Sequence, residues 1–206
     1  MTQLIEALSY PFVQRAIAAG VMISLCAALL GVILVLKQYS LIGHGLGDVG
    51  FASTSLAVAL GLPVMAVSIP IVVIAACLIM FWSQRSKTGG DTAIGMVATG
   101  ALSIGVIITA MSSGFNVDVN GYMFGSILAM SREDVIFSVV LSIVILVLFV
   151  VFYNRLFLIT FDENFAKASG IRVGFYQFLI ALLTALTVVM GMRMMGSLLI
   201  SSLIIF

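Results

Sequence analysis

Charged residues are scarce in this sequence: they make up 8% of its 206 residues, whereas hydrophobic residues make up 63%. Soluble domains contain about 25% charged residues, so this composition excludes a water-soluble enzyme and a disordered chain. Nine Lys and Arg residues against eight Asp and Glu residues give a net charge of +1. Without a basic stripe, nucleic-acid binding is excluded too. The remaining class is an integral membrane protein, with residues 1–206 forming a single transmembrane domain.

The sequence also lacks the motifs of catalysis. It contains no Walker motif, no nucleophile paired with a base and no CxxC. We therefore expect a protein that is not an enzyme, binds no ATP itself and holds no permanently bound cofactor. Its two cysteines, Cys26 and Cys77, lie in apolar runs, which predicts small core residues and no disulfide between them.

Long apolar segments, separated by charges and turn residues, predict the fold class as all-α, a polytopic bundle of transmembrane helices. About seven segments are predicted, at 16–36, 45–61, 64–82, 92–112, 134–152, 174–191 and 195–206. Residues 1–15 are amphipathic and have no cleavage site, so they predict an interfacial helix and not a signal peptide. The last segment is still apolar where the sequence ends, and its helix would cover about 18 Å of a bilayer core of about 30 Å. We therefore expect a truncated chain.

The distribution of Lys and Arg predicts the orientation of the chain, because cytoplasmic loops carry an excess of these residues. With the N-terminus outside, six basic residues face the cytoplasm and three face outward, and the opposite orientation reverses the count. The cytoplasmic six are Lys37, Arg85, Lys87, Arg155, Lys167 and Arg172, and the outer three are Arg15, Arg132 and Arg193.

The second apolar segment carries a stripe of small residues. They recur at intervals of three and four, as expected for one face of a helix: Gly43, Gly47, Gly50, Thr54, Ala57 and Gly61. Such stripes let helix backbones approach closely within a membrane. The stripe therefore predicts a tightly packed helix.

His44 and Asp48 lie on a neighbouring face of the same segment, one helical turn apart. His44 is the sole histidine, and Asp48 is an acidic residue well within a span. Ionisable groups at membrane depth are costly and indicate a functional site. Imidazole nitrogen and carboxylate oxygen suit zinc, and also manganese or iron. The alternatives are a hydrogen-bonded pair without a metal, or a pair hydrated at the cytoplasmic interface.

Four patches of sequence resemble the permease subunit of the zinc/manganese-type metal ABC importers. In chain order they are VLKQYSLIGHGLGDVGFASTSLA (35–57), NVDVNGYMFGSILAMSREDV (116–135), FDENFAKASGIRV (161–173) and GMRMMGSLLISSLIIF (191–206). The resemblance extends from residue 10 to the last residue. It implies a type II ABC importer-like bundle of eight or so transmembrane helices, of which the C-terminal ones are missing here.

The resemblance also implies partners and a location. These are a second copy of the chain in a homodimer, cytoplasmic ATP-binding subunits, an extracytoplasmic metal-binding protein and the lipid bilayer of a prokaryotic cell membrane. Members of the family commonly carry Asp at the position of His44 and His at the position of Asp48, so the two ligand types are exchanged in this chain. Both types survive on one helical face, which implies that His44 and Asp48 bind the transported metal, zinc first and manganese next.

Two further segments acquire expected roles from the resemblance. Residues 161–173 match the cytoplasmic coupling helix that contacts the ATPase; the residues expected to make this contact are Asp162, Glu163, Phe165, Ala166 and Gly170. Residues 113–133 match an external segment near the outer gate, and Arg132, Glu133 and Asp134 are expected to orient the docked binding protein. From charge alone, an ordinary charged loop is the alternative for both segments.

Two other interpretations remain open at this point. An ATP-independent secondary metal transporter or channel would use the same His–Asp pair, but it has no need of a helix that contacts an ATPase. A fragment without any transport role is the third possibility. The segment at 161–173 favours the ATP-driven importer over the secondary transporter, and complementation by this chain compared with the extended gene would separate the fragment.

Overall fold

A computed structural model describes residues 10–37, 39, 41–85, 90–111, 125 and 132–205. This part of the chain is α-helical and contains no strand, as the composition predicted. It contains eight α-helices, numbered here in chain order: α1 Pro11–Leu36, α2 Ile42–Ala59, α3 Val64–Arg85, α4 Gly90–Met111, α5 Arg132–Phe161, α6 Glu163–Ala168, α7 Val173–Met195 and α8 Ser197–Ile205.

Five of these helices are long and apolar enough to cross a membrane. They are found at Phe12–Leu36, Val64–Trp82, Asp91–Met111, Val135–Phe161 and Val173–Met195. The expectation of about seven spans is therefore too high for the described residues. The difference lies in α2 and α8, the helices in the second and last predicted segments.

Helix α2 is less apolar than a lipid-exposed span because it carries His44, Asp48 and three consecutive hydroxyl side chains at residues 53–55. Most of its residues are nevertheless buried, because other helices and not lipid surround it. Hydropathy measures how favourably a helix is solvated by lipid. It therefore underestimates the ability of a helix to lie within the membrane when other helices enclose it. At 18 residues, α2 is about 27 Å long.

Helix α8 is separate from α7 because the backbone turns at Gly196. This residue has a φ of +85°, which lies in the region that favours glycine, and its N–H bonds to the carbonyl of Met192. Helix α8 has 9 residues, or about 14 Å, up to the last described residue. The last predicted segment at 195–206 is therefore not among the five candidate spans of the described residues.

Several predicted boundaries also shift. Helix α1 begins at Pro11, which suits the first helical turn, so residues 11–15 belong to this helix and not to a separate interfacial one. Helix α5 has 30 residues and extends past the predicted end at residue 152; in this extension Nη1 of Arg155 donates to the hydroxyl of Tyr176 at 2.8 Å. Residues 1–9 lie outside the described residues, as does segment 113–133 apart from Gly125 and the start of α5.

The core is centred on α7. The buried share of its most apolar stretch is 72%, compared with 17–44% for the corresponding stretches of the other four candidate spans. Helix α7 packs against α1, α2, α3, α5, α6 and α8. Cys26 is buried in this core, Cys77 is partly buried, and neither forms a disulfide. The prediction for the cysteines is confirmed except that Cys77 is not fully enclosed.

Candidate functional site

His44 and Asp48 lie side by side on the first two turns of α2. The imidazole Nε2 of His44 is 3.8 Å from the carboxylate Oδ2 of Asp48, which confirms that the two side chains are neighbours. Their environments differ, because the His44 side chain is 55% exposed and the Asp48 side chain is 14% exposed. Of the two side chains, the histidine is therefore the one that is accessible from outside the chain.

The first turn of α2 is tied to the start of α4. The backbone N–H of Leu41, which precedes α2, donates to Oδ1 of Asp91 at 3.3 Å. This carboxylate satisfies one of the N–H groups that a helix leaves unpaired at its start. Leu41 and His44 are separated by about 4.5 Å along the helix axis, at 1.5 Å per residue. The contact fixes the end of α2 that carries the candidate metal ligands.

The small-residue stripe of α2 faces the C-terminal helices. A Cβ added at Gly43 would lie 3.3 Å from Ile204, and one at Gly47 would lie 3.3 Å from Ser197. At Gly50, an added Cβ would lie 2.5 Å from Cε of Met192, near the end of α7. These glycines allow α2 to approach α7 and α8 closely, as predicted, except that Gly61 lies beyond the end of α2 at a φ of +66°. The His44 face is turned elsewhere.

Two hydroxyl pairs connect α2 to its other neighbours. The hydroxyls of Thr54 and Ser68 lie 3.3 Å apart between α2 and α3, and Thr109 of α4 donates to Ser55 at 3.1 Å. Hydrogen bonds between helices contribute about 0.6 kcal/mol each in membrane proteins. Together with the glycine contacts, they determine how far α2 can rotate, and hence the direction in which His44 and Asp48 point.

A metal ion would need more ligands than this pair supplies. A four-coordinate zinc site requires two further ligands from protein or water. Within the described residues, no group of three or more His, Cys, Asp and Glu side chains is placed to hold a metal ion. The pair can therefore form half of a site, completed by water or by another molecule on its open side.

Helix α6 is a short amphipathic helix with a defined start and end. Asp162 precedes it, and its carboxylate Oδ1 accepts a hydrogen bond from the N–H of Phe165 at 2.8 Å. At the other end, the N–H of Gly170 bonds to the carbonyl of Lys167, and that of Ile171 bonds to the carbonyl of Ala166. These two bonds and the φ of +77° at Gly170 form a Schellman motif with Gly170 at the C′ position.

The two faces of α6 differ in what they contact. Ala166 is completely buried against the transmembrane helices, whereas Phe165 is 57% exposed. Glu163 is partly buried, and its carboxylate pairs with Lys167 at 2.7 Å and accepts from Nε2 of Gln177 at 3.1 Å. Of the five residues predicted here, Glu163 and Ala166 face their own chain, Asp162 caps the helix, Gly170 ends it, and Phe165 faces outward.

The predicted docking residues Arg132, Glu133 and Asp134 begin α5, and their side chains lie outside the description. Asp91 and Gln177 also make defined contacts near these sites, and the sequence did not predict a role for either. Asp91 lies one residue outside the predicted segment at 92–112. Gln177 is a polar side chain within an apolar segment, and this contrast is the signal that could have identified it.

Comparisons with known proteins agree along almost the whole chain. Residues 9–206 match the ABC 3 transport family. The manganese transport system membrane protein MntC of Halalkalibacterium halodurans is 28% identical over 97% of this chain and 68% of its own length. The high-affinity zinc uptake system membrane protein ZnuB of Haemophilus influenzae is 30% identical over 92% of this chain and 73% of its own length.

The fold is also similar to that of a solved structure, PsaBC from Streptococcus pneumoniae in complex with Fab. The superposition has a TM-score of 0.83 at 28% sequence identity, and it covers 99% of this chain and 74% of the matched chain. The similarity in structure thus extends over the same residues as the similarity in sequence.

Proposed function

We propose a cargo and a mechanism for this chain, which belongs to the ABC 3 transport family and is an integral membrane permease of its metal importers. The cargo is a divalent transition metal, zinc first and manganese next. The observation that carries this proposal is the His44–Asp48 pair on an enclosed helix, with the histidine ring on its open side. Relatives named for manganese and for zinc are both similar to this chain, and a nitrogen–oxygen ligand pair suits zinc better.

A second copy of the chain would complete the metal site. If two α2 helices face each other in a homodimer, two His44 and two Asp48 side chains supply four ligands, the number that zinc prefers. The 55% exposure of the His44 side chain supports this arrangement, because a partner or water must satisfy its ring nitrogens. Weak, temporary binding suits a transported ion better than a closed structural site.

Energy for transport comes from a partner ATPase at the predicted cytoplasmic end. Helix α6 is the contact, and the exposed ring of Phe165 is the side chain best placed to enter a pocket on the partner. An extracytoplasmic metal-binding protein docks on the opposite side, where Arg132, Glu133 and Asp134 orient it. ATP binding closes the ATPase pair, α6 moves with it, and the metal path opens alternately to each side.

The test is metal uptake by cells that express the full-length gene with its ATPase and binding protein. We expect His44→Ala and Asp48→Ala each to reduce uptake by about 100-fold while the complex still assembles. Ser53→Ala is the matched control, because this buried α2 hydroxyl bonds to the carbonyl of Gly50 within its own helix. Competition between zinc and manganese in the wild type identifies the preferred metal.

Two results would contradict this proposal. Normal uptake by both variants would mean that the pair is structural and does not bind the cargo. Uptake that continues without ATP, in membranes from which no ATPase co-purifies with the chain, would instead indicate a secondary transporter or channel. The exposed Phe165 on α6 favours the ATP-driven importer over that alternative.

A further inference from the structure

Gln177 joins α6 to the central helix α7. Its Nε2 donates a hydrogen bond to Oε2 of Glu163 at 3.1 Å, and the glutamine is only 6% exposed. The surroundings of Gln177 are otherwise apolar, since it lines a groove of about 500 Å³ with Val73, Cys77 and Ala181. A buried amide is costly unless it is hydrogen-bonded, so the bond to Glu163 holds both side chains in place.

Glu163 is the point at which three parts of the chain meet. Lys167 pairs with it from the next turn of α6, Gln177 donates to it from α7, and Lys37, the residue after α1, interacts with it electrostatically. Burial lowers the pKa of Lys37, the Glu163 carboxylate opposes this effect by raising it, and Lys167 lowers it. Both carboxylate oxygens of Glu163 therefore have partners within the chain, and the side chain is 40% exposed.

Helix α7 extends from this point to the candidate metal ligands. Gln177 lies in its second turn and Met192 near its end, a separation of about 22 Å along the helix. Met192 packs against Gly50, two residues from Asp48, and a Cβ at Gly50 would lie 2.5 Å from its Cε. Because α7 is the most buried of the candidate spans, and packed interiors are nearly incompressible, a displacement at one end is transmitted to the other.

We infer that Gln177 is a positioning residue, whose hydrogen bond to Glu163 makes α7 follow the movement of α6 and so moves the helix that carries His44 and Asp48. This inference rests on the proposed role of α6 as the ATPase contact. It assigns the transmission of movement to a residue that contacts neither the metal nor the ATPase.

The first test measures how much metal is transported per ATP hydrolysed by the complete importer in proteoliposomes. A hydrogen bond to a charged group shifts an equilibrium by about tenfold or more, so we expect Gln177→Leu to lower this ratio about tenfold. ATP hydrolysis should continue in the variant. Thr184→Val is the matched control, because its buried hydroxyl bonds to the Ile180 carbonyl within α7; it should leave the ratio unchanged.

Further variants separate the hydrogen bond from the folding of the chain. Glu163→Gln keeps an acceptor for Gln177 and should retain the ratio, whereas Glu163→Ala should lower it as Gln177→Leu does. Gln177→Asn keeps a buried amide, but its side chain is one methylene too short to reach Glu163. It should lower the ratio as Gln177→Leu does, and it takes the place of the leucine variant if that variant does not assemble. The double variant Glu163→Ala/Gln177→Leu should be no worse than either single one, because both remove one contact.

Hydrogen exchange gives a readout that does not depend on transport. In Gln177→Leu, the backbone amides of α6 should exchange about tenfold faster than in the wild type. In Thr184→Val, the exchange rate of the α6 amides should not change. An unchanged exchange rate in α6, or an unchanged ratio of metal to ATP, overturns the inference. Absence of ATP-dependent uptake by the wild-type importer contradicts the proposed function instead, so the two failures are distinguishable.

Discussion

The carboxylate of Asp48 lies 3.8 Å from the imidazole of His44, but the aspartate side chain is 14% exposed and the histidine side chain 55% exposed. The enclosed carboxylate and the open imidazole thus lie at different depths on one face of α2. Under the proposed function, a metal that approaches from the open side meets the imidazole first. The order of the two residues therefore determines which ligand type is accessible.

Changing one ligand type should shift metal preference. His44→Asp leaves two carboxylates, which favour manganese, whereas Asp48→His leaves two imidazoles, which favour zinc. We expect the ratio of zinc to manganese uptake to change by roughly tenfold in opposite directions in the two variants. The double variant His44→Asp/Asp48→His keeps one ligand of each type and should transport. Radioactive zinc and manganese uptake measures these ratios, and identical ratios in both single variants would contradict the assigned role of the pair.

Phe165→Ala should weaken the ATPase complex. A buried aromatic anchor at an interface contributes about 2 kcal/mol, so we expect the Kd for the ATPase to rise roughly 30-fold. Phe175→Ala is the control, because Phe175 has a similar exposure of 55% but lies at the start of α7. Titration of the ATPase into the detergent-purified permease measures the Kd of both variants. Equal effects of the two substitutions would show that exposed aromatic area in general, and not the position on α6, determines the binding.

Asp162 should act through the cap of α6 and not through its charge. Asp162→Ala removes the bond to the N–H of Phe165 and should destabilise α6 by about 1 kcal/mol, with faster amide exchange and weaker ATPase binding. Asp162→Asn retains an acceptor and should bind nearly as well as the wild type. If the asparagine variant binds as weakly as the alanine variant, the carboxylate contacts the ATPase directly.

Gly105 and Gly100 form a matched pair on α4. A Cβ at Gly105 would lie 2.8 Å from the ring of Phe51 and 3.0 Å from Cα of Ala52, whereas one at Gly100 would meet nothing within 4 Å. Gly105→Ala should therefore separate α4 from α2 and lower stability by about 1–3 kcal/mol. Gly100→Ala should stay within about 0.5 kcal/mol of the wild type. Thermal unfolding of the purified protein compares them, and equal stabilities would falsify the close contact between α2 and α4.

Much of the candidate site follows from local spacing. His44 and Asp48 are neighbours because residues four apart meet on any helix, and Gly170 ends α6 because glycine adopts a positive φ at little cost. The contact between Glu163 and Gln177 could not be predicted in this way. It joins residues in two different helices, and it depends on the turn that directs α7 back past α6.

The number of spans was overestimated for a related reason. The segments at 45–61 and 195–206 are apolar in sequence, but α2 is less apolar than the five candidate spans and α8 has 9 described residues. The turn at Gly196, which separates α8 from α7, is not visible in hydropathy, because hydropathy averages over residues without regard to the path of the backbone. The orientation of the chain stays a prediction from its Lys and Arg residues.

The amino-acid sequence by itself determined the membrane environment, the helical class, the proximity of His44 and Asp48 and the polar segment at 161–173. These properties depend on composition and on contacts within one or two helical turns. Only the tertiary structure decided that Glu163 turns toward Gln177 while Phe165 turns outward, and that Asp48 is enclosed while His44 is open. Burial is a property of the whole assembly of helices, because the residues that cover a side chain come from distant parts of the chain.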